Sequence, residues 1–145
     1  MSNYPLTLYY DGACPLCAEE MQRLKARDRH GLLRFVDASA ATFDAAECAS
    51  TRAELMRVIH ARRPDGNLVR GVDALRLAYA AAGHVVIARL LGMTLIYRLA
   101  CLAYPYLASH RYALSRRLRW RIAGMRRRPA CADDRCAGGD GNDAR

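Results

Sequence analysis

Two cysteines near the beginning of the chain have a spacing that can support redox chemistry. Cys14 and Cys17 stand in the sequence Cys-Pro-Leu-Cys, shortly after Asp11 and Gly12. Thiol–disulfide exchange needs a thiolate, an accessible sulfur atom, and a second cysteine close enough to resolve the mixed disulfide. A C-x-x-C pair at the start of a helix supplies all three, but the pair could also be half of a metal site or a chance pair.

The elements predicted around the pair would place it at a helix N-terminus. Residues 6–10 predict a buried strand. Pro15 suits the first turn of a helix that continues to about Arg29. Cys14 is then the capping residue, and the free backbone N–H groups and the helix dipole favour its thiolate form. We therefore expect Cys14 to be the nucleophile and Cys17 the resolving thiol.

The first 83 residues predict a complete small α/β domain. The predicted elements are a strand at 32–39, a short helix with loops at 40–54, a strand–turn–strand hairpin at 54–71 and a helix at 71–83. With the first strand and helix, this order predicts a thioredoxin-like, four-stranded mixed sheet flanked by helices over residues 1–83. The hydrophobic content of 52% is sufficient for a buried core.

The C-terminal part of the chain has a different composition. Residues 84–128 are strongly apolar at first, but arginines, Gly92 and Pro105 interrupt them, so no membrane span is expected. They predict two helices, at about 85–103 and 106–123, which form a basic extension packed on the core. Residues 129–145 are small, polar and glycine-rich, and predict a flexible tail.

The positive charge of the chain is concentrated in this extension. The formal net charge is +9, and residues 81–128 carry ten arginines and no acidic residue. The basic residues from the second half of this segment are Arg111, Arg116, Arg117, Arg119, Arg121, Arg126, Arg127 and Arg128. Such a segment can contact an anionic surface, or it can be a solvated helix face. We favour the solvated face, do not expect nucleic acid as a partner, and leave peripheral membrane contact open.

The cysteine content raises the alternative of a metal site. The N-terminus has neither a positive region nor a continuous apolar stretch, so we expect a cytoplasmic protein, in which structural disulfides are rare. Cys131 and Cys136 could form a second redox pair, remain idle in the tail, or join the first pair around zinc, because four thiolates suit structural zinc. Cys48 and Cys101 are isolated and are interpreted as ordinary cysteines.

Other polar residues have two interpretations each. Asp11 could relay a proton for the thiols, or it could simply end the strand and bond to turn N–H groups. His60 could stabilise a thiolate from the predicted third strand, or it could be an ordinary strand histidine. Asp37 and Asp73 are interpreted as caps. The sequence has no phosphate-binding glycine loop, no Ser-His-Asp set and no paired catalytic carboxylates, and we predict no cofactor.

The stretch YYDGACPLC resembles the signature of the DCC family of predicted thiol–disulfide oxidoreductases, which is named after its Asp, Cys and Cys. Asp11, Cys14 and Cys17 match these three positions. FVDAS (35–39), IHARRPDGNLVRGVDAL (59–75) and the basic helical stretch also follow the family's layout, so that the resemblance covers about residues 5–128. It implies a thioredoxin-like fold and activity of the protein-disulfide reductase type. The partners would be a disulfide-containing protein or small molecule and an external thiol reductant.

The sequence departs from better-known thioredoxin-like enzymes at one position. Those enzymes place a cis-proline opposite the dithiol, whereas this chain has no proline between Pro15 and Pro64. Residues 50–56 are expected to face the dithiol without it. The alternative function is a zinc-binding or redox-sensing interaction module whose arginine-rich helix docks on nucleic acid or on an anionic membrane surface.

Overall fold

The computed structural model describes residues 4–44, 48 and 50–122, with side chains in the last helix as far as Arg116. Its elements are β1 (Leu6–Tyr10), α1 (Pro15–Arg27), β2 (Leu33–Asp37), α2 (Arg52–Arg57), β3 (His60–Arg62), β4 (Leu68–Arg70), α3 (Val72–Ala81), α4 (Val85–Leu90) and α5 (Thr94–Ile122). The four strands form one sheet in the order β2-β1-β3-β4. β1 and β2 are parallel, and the other two pairings are antiparallel. This mixed sheet with flanking helices confirms the predicted thioredoxin-like α/β fold.

Strand β1 lies at the centre of the core. Leu6 and Leu8 are fully buried in the larger hydrophobic cluster, and Tyr9 is buried in a second cluster with Leu55. Burying one such leucine contributes about 1.5–3 kcal/mol. Because side chains from both faces of β1 are buried, the position of the next residue, Asp11, is fixed at the end of the strand.

Helix α1 begins at Pro15, as predicted, and ends at Arg27, slightly earlier than predicted. The carboxylate of Asp28 explains the earlier end. It accepts hydrogen bonds from the backbone N–H groups of Leu32, at 2.9 Å, and Leu33, at 2.8 Å. These bonds turn the chain from the helix into β2.

The segment predicted as a hairpin, residues 54–71, forms one only in part. Strands β3 and β4 are short, and the backbone N–H of Arg63 donates to the carbonyl of Asn67 across the turn, at 2.9 Å. The prediction that the first strand of the hairpin begins at Glu54 was wrong, because residues 54–57 belong to α2. Thr51 caps this helix and Glu54 bonds back to the cap, which is a complete capping box.

The C-terminal extension contains one short and one long helix, and the prediction of helices at about 85–103 and 106–123 was wrong. The chain turns after α4 through i to i−3 backbone bonds at Gly92 and Met93. Helix α5 then continues through Pro105. Side-chain hydrogen bonds from α5 to the rest of the protein lie on both sides of this proline. Tyr97 donates to Asp73 at 3.0 Å, and Arg111 donates to Asp11 at 2.7 Å.

Helix α5 packs against α1 and α3, and α4 packs against α3. No helix in the described part of the chain is both long and apolar enough to span a bilayer. The predicted tail, residues 129–145, lies outside the described residues.

Candidate active site

Hydrogen bonds to Asp11 hold the loop between β1 and α1. Within the loop, the backbone N–H of Cys14 donates to the carbonyl of Asp11 at 3.3 Å, and the N–H of Ala13 donates to Asp11 Oδ1 at 3.1 Å. Cys14 is the N-cap residue of α1, as predicted. The loop therefore places Cys14 and Cys17 on the first turn of the helix.

Asp37, at the end of the neighbouring strand β2, fixes the loop from outside. Its Oδ1 accepts from the backbone N–H of Gly12 at 2.9 Å and from the N–H and Oγ of Ser39. Burial opposes ionisation, but these hydrogen bonds hold the pKa of Asp37 below its ordinary value. A Cβ atom at Gly12 would lie 2.0 Å from Asp37 Oδ2, so only glycine allows this approach.

The two sulfur atoms are both free thiols, but they differ in exposure. Cys14 is fully buried, whereas Cys17 is only partly covered. The accessible sulfur that the sequence predicts for this pair is therefore that of Cys17, and the expected nucleophile Cys14 is covered. Burial, together with a hydrogen bond between its thiol and Cys14, raises the pKa of Cys17 to about 12. Cys17 thus keeps its proton at neutral pH and shares it with the Cys14 sulfur.

Asp11 is ion-paired with a residue from the far end of the chain. Its Oδ2 accepts from Arg111 Nη2 at 2.7 Å and from the hydroxyl of Tyr112, both on α5. The Asp11 side chain is 1% exposed and that of Arg111 is 12% exposed. Such a buried pair is tolerated only when further hydrogen bonds satisfy its charges. Arg111 Nη1 donates to the carbonyl of Arg57 at 2.7 Å, and Nη2 also donates to that of Met56.

Sequence reasoning missed the contribution of α5 to the site. Arg111 was grouped with the basic surface of the extension, yet it is buried beside Asp11, whereas Arg116 on the same helix is exposed. Tyr112 and Tyr104 were not singled out. No local pattern marks these residues, because their partners lie 45 to 101 positions away along the chain.

An apolar cleft of about 240 Å³ opens beside Cys17. Its walls come from α1, α5 and residues 55–59, and the lining residues are Tyr10, Asp11, Leu16, Cys17, Glu20, Met21, Leu55, Met56, Val58, Ile59, Leu75, Tyr104, Leu107, Ala108 and Arg111. The segment that faces the dithiol overlaps the predicted 50–56 only at Leu55 and Met56. It extends to the start of β3.

A profile of the DCC1-like thiol-disulfide oxidoreductase family matches residues 8–117, which include the dithiol, the facing segment and Arg111. The protein belongs to this family. The match confirms the predicted family. It extends through the part of α5 that closes the site.

One relative of this DCC1-like protein is an uncharacterized chloroplastic protein of Arabidopsis thaliana. The two are 32% identical over 117 residues, which cover 79% of this chain and 55% of the relative. The chain thus spans about half the length of that protein. No solved structure matches the chain.

His60 lies apart from the dithiol in this DCC1-like protein. It is buried, with Nδ1 2.9 Å from the carbonyl of Val58, and burial lowers its pKa. It lines a separate cavity with Arg70 and Cys101. The structure therefore supports the ordinary strand histidine over a partner of the thiolate.

Among residues 4–44, 48 and 50–122, no three His, Cys, Asp or Glu side chains lie close enough together to hold a metal ion. Cys131 and Cys136, which the zinc alternative needs, lie outside these residues. Cys48 is buried and Cys101 is exposed, and neither lies beside the dithiol cleft.

Proposed function

We propose that this DCC1-like protein is a thiol–disulfide oxidoreductase that works through the dithiol Cys14-Pro15-Leu16-Cys17. The observation that supports this best is the hydrogen-bonded pair of free thiols at the N-terminus of α1. One helix terminus places the two sulfurs together, and an apolar cleft opens at one of them. That arrangement supplies what exchange needs: a thiol at a helix N-terminus, a resolving thiol and room for a substrate.

In the proposed reaction the Cys14 thiolate attacks one sulfur of a substrate disulfide. A bond forms between Cys14 and that sulfur, the substrate S–S bond breaks, and the second substrate sulfur leaves as a thiolate that takes up a proton. Cys17 then loses its proton and attacks Cys14, which forms the Cys14–Cys17 disulfide and releases the first substrate thiol. Two electrons pass from the dithiol to the substrate, and an external thiol reductant restores the dithiol.

The surroundings of the two cysteines support these roles. Cys14 lies at the helix N-terminus, where free N–H groups and the dipole stabilise a negative charge. Cys17 has a raised pKa and retains its proton. Because Cys14 is buried and Cys17 lines the cleft, a substrate sulfur would approach Cys14 from the side of Cys17. Asp11, whose charge acts on Cys17, would orient the loop and accept the Cys17 proton.

The rate of the dithiol with a small disulfide tests this function. Pre-reduced protein is mixed with bis(2-hydroxyethyl) disulfide, quenched with acid, alkylated and weighed by mass spectrometry. The wild-type dithiol should react at least about tenfold faster than glutathione does. The Cys14→Ser variant should fall to the rate of an ordinary thiol, whereas Cys101→Ser, at an exposed position outside the dithiol cleft, should keep the wild-type rate. An unchanged rate in Cys14→Ser would overturn the proposal.

A second role, contact of α5 with an anionic membrane surface, is favoured by one specific observation. Leu95, Leu99, Leu102 and Tyr106 are 58–78% exposed and recur at helical spacing, on the face opposite the packed residues. We call these four residues the outer stripe. Residues 81–128 carry ten arginines and no acid, so anionic lipid complements their charge, whereas a second copy of the chain would repel it.

A further inference from the structure

Several backbone groups of the segment that faces the dithiol already have hydrogen-bond partners. The backbone N–H of Ile59 donates to the hydroxyl of Tyr104 at 3.1 Å. The carbonyl oxygens of Met56 and Arg57 both accept from Arg111. The carbonyl of Val58 lies 2.9 Å from His60 Nδ1. Residues of α5 therefore occupy most of the groups that this segment could offer to a partner.

This arrangement bears on the kind of disulfide that can bind. A peptide that binds in extended form gains its affinity from main-chain hydrogen bonds to an exposed backbone edge. Here such a peptide would have to displace the Tyr104 hydroxyl and the Arg111 guanidinium. Displacing Arg111 would also leave the charge of Asp11 buried without its partner.

The cleft itself suits a small apolar group. Most of its lining is aliphatic, and its two carboxylates already have partners: Asp11 is paired with Arg111, and Glu20 accepts from the hydroxyl of Tyr79 at 2.6 Å. Its volume of about 240 Å³ exceeds the roughly 150 Å³ of an apolar cavity that binds benzene. Short alkyl chains would fit in it, and the charged side chains of its lining lie in ion pairs, Asp11 with Arg111 and Glu20 with Arg23.

We infer that the substrate of this site is a low-molecular-weight disulfide with uncharged alkyl substituents, rather than a disulfide in an extended protein segment. This inference rests on the proposed function and specifies its substrate class. One alkyl group lies in the cleft between α1 and α5, and its sulfur lies over Cys17, beside which Cys14 is buried. The exchange steps are those given above, with an alkyl thiol as each leaving group.

A homologous series of disulfides tests the inference. Rate constants for oxidation of the pre-reduced full chain are measured with dimethyl, diethyl and dipropyl disulfide and with an uncharged peptide disulfide. Each is divided by the rate constant of glutathione with the same compound, which removes differences in intrinsic reactivity. The ratio should rise by up to about fourfold for each methylene that enters the cleft, and the peptide should give the lowest ratio.

A pair of variants locates the effect. Leu107 lines the cleft and is 49% exposed, and Leu90 is 44% exposed on α4 and does not line it. Leu107→Gln should lower the dipropyl ratio by about threefold and the dimethyl ratio by less. Leu90→Gln should change neither.

The outcomes separate the two proposals. Ratios well above one that do not rise with chain length, or a peptide ratio above that of dipropyl disulfide, would overturn the inference and leave the proposed function standing. Ratios near one for every compound would overturn both. An equal effect of the Leu107 and Leu90 variants would place the alkyl group outside the cleft and would also overturn the inference.

Discussion

At the scale of single residues, Asp11 connects distant parts of the protein. Its backbone and side chain hold the loop that carries Cys14, and its other carboxylate oxygen accepts from Arg111 and Tyr112. The sequence offered a simple structural role for Asp11, that of a residue that ends the strand and bonds to turn N–H groups. The hydrogen bond from the N–H of Ala13 to Asp11 Oδ1 confirms this role. The proton relay stays a prediction. The same carboxylate thus links the dithiol to the helix that covers it.

Cys17 allows a test of its environment through pH. Its pKa rises from an ordinary value of 9.0 to about 12 in the folded protein, chiefly through burial. Above pH 9 the unfolded chain loses this proton while the folded protein keeps it. The stabilising contribution is therefore complete below pH 9 and is lost as pH rises towards 12. The thermal midpoint of the reduced protein should fall over this range, and the fall should be shallower in Cys17→Ser.

Thermal unfolding of both proteins, followed by circular dichroism at pH 8 and at about pH 10.5, measures the difference. Other groups that titrate in this range, such as Tyr79, are common to both proteins and cancel in the comparison. Parallel pH dependences in the two proteins would show that Cys17 is not held protonated.

At the scale of the elements, α5 is attached to the site by a few polar contacts. The buried pair of Asp11 and Arg111 is the main one. Arg111→Met would leave the Asp11 carboxylate buried without a counter-charge, which costs about 3–5 kcal/mol of the free energy of unfolding. The double variant Arg111→Met with Asp11→Asn removes both charges and should recover part of the loss.

Urea denaturation of the single, double and control variants checks this prediction. Arg116→Met is the control, because Arg116 is exposed on the same helix and its loss should change stability by less than about 0.5 kcal/mol. If Arg111→Met were no less stable than Arg116→Met, the ion pair would not hold α5 to the loop.

Local sequence patterns predicted the elements well where the cause is local. Pro15 marks the start of α1, and Pro64-Asp65-Gly66 marks the turn between β3 and β4. The capping box of Thr51 and Glu54 was also present in the sequence and would have placed α2 correctly. The passage of α5 through Pro105 could not be predicted, because it depends on tertiary bonds from Tyr97 and Arg111 to distant elements.

At the scale of the whole molecule, the sheet and the position of the dithiol followed from the sequence, but the closure of the site did not. Element order and hydrophobic runs determine the fold class, and both could be recognised in the sequence. The contacts of Tyr104 and Arg111 with the facing segment join residues 45 to 55 positions apart and follow no periodic pattern. The burial of Cys14 is likewise a tertiary feature that no local pattern predicts.

The outer stripe predicts how the whole protein meets a membrane. Sedimentation with vesicles of phosphatidylcholine and phosphatidylglycerol should retain the wild type, and vesicles of phosphatidylcholine alone should not. Leu102→Glu places a charge in the stripe and should abolish retention. Gln22→Glu, an equal change of charge at an exposed position on α1, should not.

Equal retention of Leu102→Glu and Gln22→Glu would show that charge alone, and not the stripe, contacts lipid. Failure of the wild type to bind anionic vesicles would contradict the second role. Neither result would bear on the dithiol.

The central claim is that Cys14 attacks a disulfide and Cys17 resolves the product. The most direct measurement is to mix the Cys17→Ser variant with dipropyl disulfide and to locate the adduct by peptide mass spectrometry. We expect a stable propylthio adduct on Cys14, formed faster than any adduct on the exposed Cys101. Two results together would contradict this order of attack. They are an adduct on Cys101 alone in Cys17→Ser, and an adduct on Cys17 in Cys14→Ser.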